Sequence, residues 1–598
     1  MPTTKTIRGG DLVTLDIKVN GSAIPDESRV YSIDVTFSVN RIATARVVIL
    51  DGDPSTGKFE ASSSNTFVPG VKLEIEAGYD SKSTLLFKGI IVSQNIQINN
   101  SIGSTLEVIC KDEAVLMTVG RKNLTFSEKT DSEIISSILG NYSMAKSVTS
   151  TPIKYPQMVQ YYTTDWDFML SRAEANGLIV TAINGKVSVM DPIEDTTSVL
   201  SLTYGDSIYR FNGDLNAIDQ IARAEASSWD YKTQTIVSGE STNNYAGAGN
   251  ISSKKLSNVV GLPKYKLKTP AALNQEELTN WSKAQMVKSE LSKFCGEVTC
   301  QGNNMVLPGN FITLEGLGDR FNGDHFVSEV THTFTEGNWM TEIGFGLSAE
   351  WFTENTDVMA PPAAGLLPGV HGLFTATVKK MFQDPENQFR ILVDIPLFDS
   401  NGEGLWARLG NFYASSNAGA FFFPEVGDEV IVGFLNEDPR FPIILGSLYS
   451  DTKNKPFEGL NPHENNSIKA IVTKSGMQLS FDDEKKELVI TTPEKNTVTL
   501  SDTTKQITIE DQNSNSVVLS ENGIQLISKK GISIEATEKL ILKGTQGITI
   551  ESSGGDVNIN GLNIKESAQM EYSAKGDAKA SIQASGELTI KGAMVMIN

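Results

Sequence analysis

Cysteine is scarce here: three residues in a chain of 598. Cys110 lies in the strand-like run Leu106–Cys110 and reads as a small buried apolar residue. Cys295 and Cys300 are five positions apart, which puts them on opposite faces of a continuous strand and disfavours a bond between them. So sparse a count fits a reducing compartment. Histidine is nearly as rare, at positions His325, His332, His371 and His463. A hydrolytic histidine needs a nucleophile and an orienting acid beside it. No Gly-x-Ser-x-Gly, His-Glu-x-x-His or Walker loop occurs. A zinc site built on His325 and His332 would need further ligands, so both are expected to be strand-end residues of a barrel. Neither a cofactor nor a metal is expected. No run of about 18 apolar residues occurs, so no helix is expected to span a membrane. Met1–Gly10 has no apolar core for a signal peptide. Positive charge is in deficit, with 51 Lys and Arg against 72 Asp and Glu and a net charge of −21. That argues against a nucleic-acid binder, which shows a basic face, and against passive docking on anionic lipid.

What is present is mostly short strands. A chain this long exceeds one core and is expected to divide into about three to five domains. Residues 1–357 open with apolar/polar alternation at Val13–Ile17, Val30–Ile33, Val47–Leu50, Val71–Ile75, Leu85–Ile90 and Leu106–Ile109, the signature of a barrel or sandwich. Helical spacing interrupts it at Ser132–Leu139, Asp165–Ala175 and Leu278–Leu291. Strands return between Glu297 and Gly344. A Pro/Gly/Ala-rich linker covers 358–371. Residues 372–450 hold six short strands, Phe421–Phe423 among them, which suits a small Greek-key barrel such as an OB-fold. A second linker covers 451–467.

Residues 468–598 repeat a short beat. Ile524, Ile532, Leu540, Ile548 and Val557 each start an apolar-x-apolar strand, and they fall 8, 8, 8 and 9 positions apart. Upstream, Leu488, Val498, Ile507 and Val517 are spaced 9 to 10 apart. Such strands have one apolar face and almost no private core, so only stacking or winding with other copies buries that face. Two architectures fit. A single-chain solenoid needs longer coils and capping elements, and no caps are visible. An intertwined trimer, with one strand per chain per side, suits a bare octad and is preferred. The final residues Met594, Val595, Met596, Ile597 and Asn598 would leave an apolar blunt end three times over in a trimer, an aggregation hazard unless covered.

Several blocks carry a family resemblance. They include Tyr161-Tyr-Thr-Thr-Asp-Trp-Asp-Phe-Met-Leu170 with Ala173-Glu-Ala-Asn-Gly-Leu178, and Leu307-Pro-Gly-Asn-Phe-Ile312 with Phe321–His332. The most specific are Phe422-Phe-Pro-Glu-Val-Gly-Asp-Glu-Val-Ile-Val-Gly-Phe434 and Glu437-Asp-Pro-Arg-Phe-Pro-Ile-Ile-Leu-Gly446, and Thr473–Asp483 follows. In this order they resemble the VgrG family, the spike proteins of type VI secretion systems, and the hub and spike of contractile phage tails. The pattern is shared with spikes of extracellular contractile injection systems. The resemblance implies a mainly β fold: hub-like β-barrels with a few helices, an OB-fold barrel and a C-terminal intertwined trimeric β-helix needle. It implies a non-enzymatic homotrimer seated on an inner tube of Hcp type, in contact with baseplate proteins and effector cargo, and meeting a target membrane only transiently. Residues 594–598 would meet a separate PAAR-type cap. Such a protein is cytoplasmic when assembled and ejected on firing. The sequence ends at Asn598 inside the last strand, so no appended enzyme is expected. A β-helix polysaccharide-degrading enzyme and a trimeric receptor-binding fibre are the alternatives.

Overall fold

Alternation along Arg29–Ser38 shows how the first part of the chain folds. Ile33, Val35 and Phe37 are buried, while Asp34, Thr36 and Ser38 face partly outward, so the strand presents one face to a core. In a computed structural model, which describes residues 12–597 apart from 101–102, 243–244, 246, 263, 356, 399–402, 459 and 461, this strand pairs antiparallel with Thr44–Leu50 on one side. On the other side it pairs with Gly323–Thr335, matching Phe37 to Val330 and Val35 to His332. The second pairing joins segments nearly 300 residues apart, and Ser38 Oγ donates to Glu329 Oε2 across it at 2.6 Å. The result is one 13-stranded sheet. It carries two separate cores, one around Ile33, Phe87, Val108 and Trp339, the other around Val298, Ile312, Val327 and Ile343. Sequence alternation predicts a barrel or sandwich from the first strands; the structure joins them to the strands between Glu297 and Gly344 through a seam that local alternation does not reveal. Gly302 permits a close approach at the first core, because a Cβ there would lie 2.2 Å from the Trp339 ring. Tyr79 stacks on that indole at 5.3 Å and donates to the Gly302 carbonyl.

The predicted helices form at Asp131–Leu139, Asp165–Ala175 and Gln275–Leu291. Each begins at a side-chain cap: Thr130 with Glu133, Thr164, and Asn274 with Glu277. Arg172 forks onto buried Asp131 at 2.6 and 2.9 Å and ties the first two helices together. The third helix packs under a three-stranded sheet of Thr235–Thr242, Arg223–Asp230 and Tyr265–Thr269. There Ser282 Oγ accepts from Ala226 N and donates to the Gly239 carbonyl.

The next segment closes into a five-stranded barrel of Phe374–Lys380, Ile391–Asp394, Leu405–Leu409, Pro442–Ser447 and Glu429–Phe434. Its core is Val378, Ile391, Val393, Val430, Val432 and Ile444. Two aspartates lock its turns. Asp384 receives the Arg390 guanidinium and three backbone N–H groups, which hold its carboxyl well below the usual range. Asp438 plays the same part with Arg440. Phe421–Phe423 is not a strand. The run follows a two-residue-per-arm hairpin, Ala414–Ser415 with Ala418–Gly419, and Phe421 stacks on Phe423 at 4.6 Å. All three cysteines are free; Cys110 and Cys300 are buried, which pushes both thiols up to about 12.

A compact unit ends at Leu448, and a second runs from Tyr449. The second begins as a seven-stranded antiparallel meander of Ile468–Val472, Gln478–Asp482, Glu487–Thr491, Thr497–Ser501, Gln506–Glu510, Ser516–Ser520 and Gly523–Ile527. Hence the first half of the segment expected to be a triple-stranded β-helix pairs within its own chain. The turns explain this. Asp482 and Asp511 accept from backbone N–H groups two to four residues on, and Lys486, Lys495, Lys505 and Ser514 adopt positive φ. The chain therefore reverses at each turn.

Candidate functional site

The meander's register puts its apolar side chains on one side. Leu479 faces Ile490, Ile490 faces Val498, Val498 faces Ile509, and Ile509 faces Val517, which faces Leu526. Phe481, Leu488, Leu500, Ile507, Leu519 and Ile524 form the parallel row two residues along each strand. Directly opposed residues share a face, so twelve apolar side chains line one side of the sheet. Within one chain none of the twelve is buried, and Ile490 and Ile509 are each 47% exposed. An open apolar trough of about 560 Å³ runs between Ile490, Val498, Ile509, Val517, Leu526 and Ile532.

Beyond Ile527 the octad continues, but pairing within the chain stops. Among the described residues from 529 to 597 no strand is assigned and no main-chain hydrogen bond joins one residue to another. Every described residue there is exposed. Backbone N–H and C=O groups in extended segments demand partners, and among the described residues this tract supplies itself with no main-chain partner. Four of the five expected cap-contact residues lie at its end. Met594, Met596 and Ile597 are 79%, 82% and 88% exposed, with Val595 half exposed between them. Asn598 lies outside the described residues.

The histidines are structural in character. His332 is fully buried against Phe37 and Trp339. Its Nδ1 accepts from Trp339 Nε1 at 3.4 Å and lies 3.0 Å from Thr341 Oγ1. The neutral ring therefore carries its proton on Nε2, which is buried without a partner among the described residues, and burial pushes its pKa down to about 3. His325 is buried against Phe294 and Phe345, with Nε2 2.8 Å from the Phe321 carbonyl. Exposed His371 pairs with Glu437 at 2.7 Å, and His463 Nε2 lies 3.1 Å from Ser467 Oγ. Among the described residues no group of three or more His, Cys, Asp or Glu is placed to hold a metal ion.

Two surfaces stand out: one apolar sheet face and a repeat whose described residues do not pair with one another. Sequence reasoning found the repeat. It missed the one-sided meander, although the turn clusters at 482–486, 492–496, 501–505 and 511–515 were a hairpin signal.

Comparison with known proteins gives two family matches. Residues 9–336 match the Alg8 N-terminal domain. Residues 374–449 match the type VI secretion system/phage-baseplate injector OB domain. Among curated relatives, the type VI secretion system spike protein VgrG3 of Vibrio cholerae serotype O1 is 29% identical over 185 residues, 28% of this chain and 18% of that protein. The actin cross-linking toxin VgrG1 of the same species is 32% identical over 127 residues, 20% of this chain and 12% of the toxin. The chain thus spans less than a fifth of the length of these relatives. Among solved structures, a 43 kDa tail protein of prophage MuSo2 from Shewanella oneidensis aligns with a TM-score of 0.43 at 10% identity, covering 56% of this chain and 98% of the tail protein.

Proposed function

This chain belongs to the Alg8 N-terminal domain family and is similar to VgrG-type spike proteins, and we propose that three copies assemble into the spike of a contractile injection machine and that its role is mechanical. The observation that carries this reading is the unpaired octad repeat from 529 to 597, together with the one-sided meander before it. Three meanders facing inward bury their twelve-residue apolar faces against one another. Three octad strands winding together supply the main-chain partners that one chain lacks, and only the ends stay reactive. Apolar burial at about 25 cal/mol per Å² makes such a face strongly associating. Because intertwined chains separate only by unwinding, the assembly is held kinetically.

The rest of the proposal extends the likeness to VgrG-type spike proteins. The sheet-rich region up to residue 357 forms the hub, which sits on an inner tube of Hcp type and meets the baseplate. Met594–Ile597 with Asn598 hold a separate PAAR-type cap, the spike carries effectors, and the assembly crosses a target envelope when fired. The protein itself does no chemistry. Light scattering on the purified chain tests the core of this reading. The monomer is 64.8 kDa; a species of about three times that mass, persisting in mild denaturant, is the expected result. A clean monomer would sink the reading and favour a single-chain solenoid. Deleting residues 593–598 should abolish capture of a PAAR-type protein while leaving the mass unchanged.

A further inference from the structure

A cleft of about 810 Å³ opens in the first unit, within the range of about 300–1,000 Å³ that ligand sites occupy. Its floor comes from the helices Asp165–Ala175 and Gln275–Leu291, and its sides from the strands Lys154–Thr163 and Tyr265–Thr269 and the turn at Trp351–Glu354. Five aromatic side chains line it: Tyr155, Phe168, which stacks on Phe126, Tyr265, Trp281 and Trp351. Two already hold cations. The Arg172 guanidinium lies 5.2 Å from the Tyr155 centroid and Lys288 Nζ 5.1 Å from that of Trp351. Among the described residues no cation or ring contact engages Trp281 or Tyr265, and the Trp281 indole N–H has no acceptor.

The charges lining the cleft do not balance. Arg172 is neutralised by Asp131, and Glu174 by Lys288 at 2.5 Å. Glu277 and Glu354 have no ion-pair partner among the described residues. Each uses one oxygen to receive a backbone N–H, from Asn274 at 2.8 Å and from Trp351 at 3.1 Å. Two uncompensated carboxylates and two free aromatic faces in one cleft favour an organic cation, which gains from both. Its carrier is indicated by the strand Tyr265–Thr269. This is an edge strand, whose outer main-chain groups no other strand pairs among the described residues, and its alternate residues Tyr265, Leu267 and Thr269 line the cleft. Free strand edges accept extended peptides by main-chain pairing.

We infer that this cleft docks an extended, basic segment of a partner polypeptide, with an arginine or lysine side chain held by Glu277, Glu354, Trp281 and Tyr265. The inference does not rest on the spike reading, since the cleft lies wholly within one chain.

The test is a calorimetric titration of the full chain, at low salt and at about 300 mM salt, with two capped pentapeptides, Thr-Arg-Thr-Arg-Thr and Thr-Glu-Thr-Glu-Thr, and with tetramethylammonium. The arginine peptide should bind at least tenfold more tightly than the glutamate peptide, and less tightly at high salt. The double variant Glu277→Gln/Glu354→Gln should weaken it about tenfold. Glutamine preserves the backbone contact at each cap, so an unchanged unfolding midpoint separates lost binding from lost folding. No binding of the arginine peptide, equal binding of both peptides, or an undiminished affinity in the double variant would overturn the proposal. Tetramethylammonium binding as tightly as the peptide would also overturn it, by assigning the cleft to a small cation.

Discussion

Acid should weaken the first unit through His332. Its ring is buried at the junction of the strands Arg29–Ser38 and Gly323–Thr335, and burial alone lowers its pKa to about 3. In the unfolded chain a histidine titrates near pH 6.5. Between these values the unfolded state binds a proton that the folded state refuses. The stability is therefore fully present above about pH 6.5 and is lost as the pH falls toward 3. At about 1.4 kcal/mol per pH unit, the loss reaches roughly 2–3 kcal/mol at pH 4.5. Replacing His332 by Leu removes the titration while keeping an apolar side chain of similar reach. It also strands the Trp339 N–H, a cost of about 1–3 kcal/mol that does not depend on pH. Urea unfolding of both proteins from pH 7.5 to 4.5 separates the two effects, because every other group titrates in common. The gap between them should shift by about 2–3 kcal/mol in favour of the variant as the pH falls. A gap that stays constant to within about 0.5 kcal/mol would refute the argument, since His332 would then titrate alike in both states.

Three further outcomes are expected. Ile490→Asp or Ile509→Asp places a charge in the middle of the apolar meander face and should reduce the proposed trimer to a monomer, read by light scattering, while leaving the circular dichroism of the first unit's strands in place. Arg172→Met leaves Asp131 buried without its cation and should destabilise the first unit by about 3–5 kcal/mol in urea; a loss below about 1 kcal/mol would show that Asn176 and Tyr155 satisfy the carboxylate without it. Cys110 and Cys300 should resist a thiol reagent at pH 8 in the native protein and react in guanidinium, where all three thiols count.

Much of the local structure was legible in the chain because its causes are local. Asn274 and Glu277 mark the start of the longest helix by capping chemistry that acts over three residues. Alternation at Ile33, Val35 and Phe37 announces a strand with one buried face. The Pro-x-Val-Gly-Asp-Glu-Val and Asp-Pro-x-x-Pro blocks fall in the closed barrel, where Asp438 holds its turn through Arg440. Phe421–Phe423 misled for a local reason too. Three aromatics in a row look like a buried strand, yet Phe421 and Phe422 are exposed and unpaired by any described strand.

Pairing and burial across the chain were decided by tertiary structure. Nothing near Ser38 announces Glu329 as its partner, because a strand edge carries the same donors and acceptors whichever strand it meets. The cleft between Trp281 and Tyr265 depends on which helix lies under which sheet, and spacing along the chain does not encode that. The repeat divides the two kinds of information most clearly. Its period and its apolar face follow from residue order alone, since side chains alternate every two residues in any extended backbone. Where that face is covered depends on the turns. Short connections with left-handed residues fold 468–527 back on itself, while among the described residues beyond Ile527 the octads pair with no strand of their own chain.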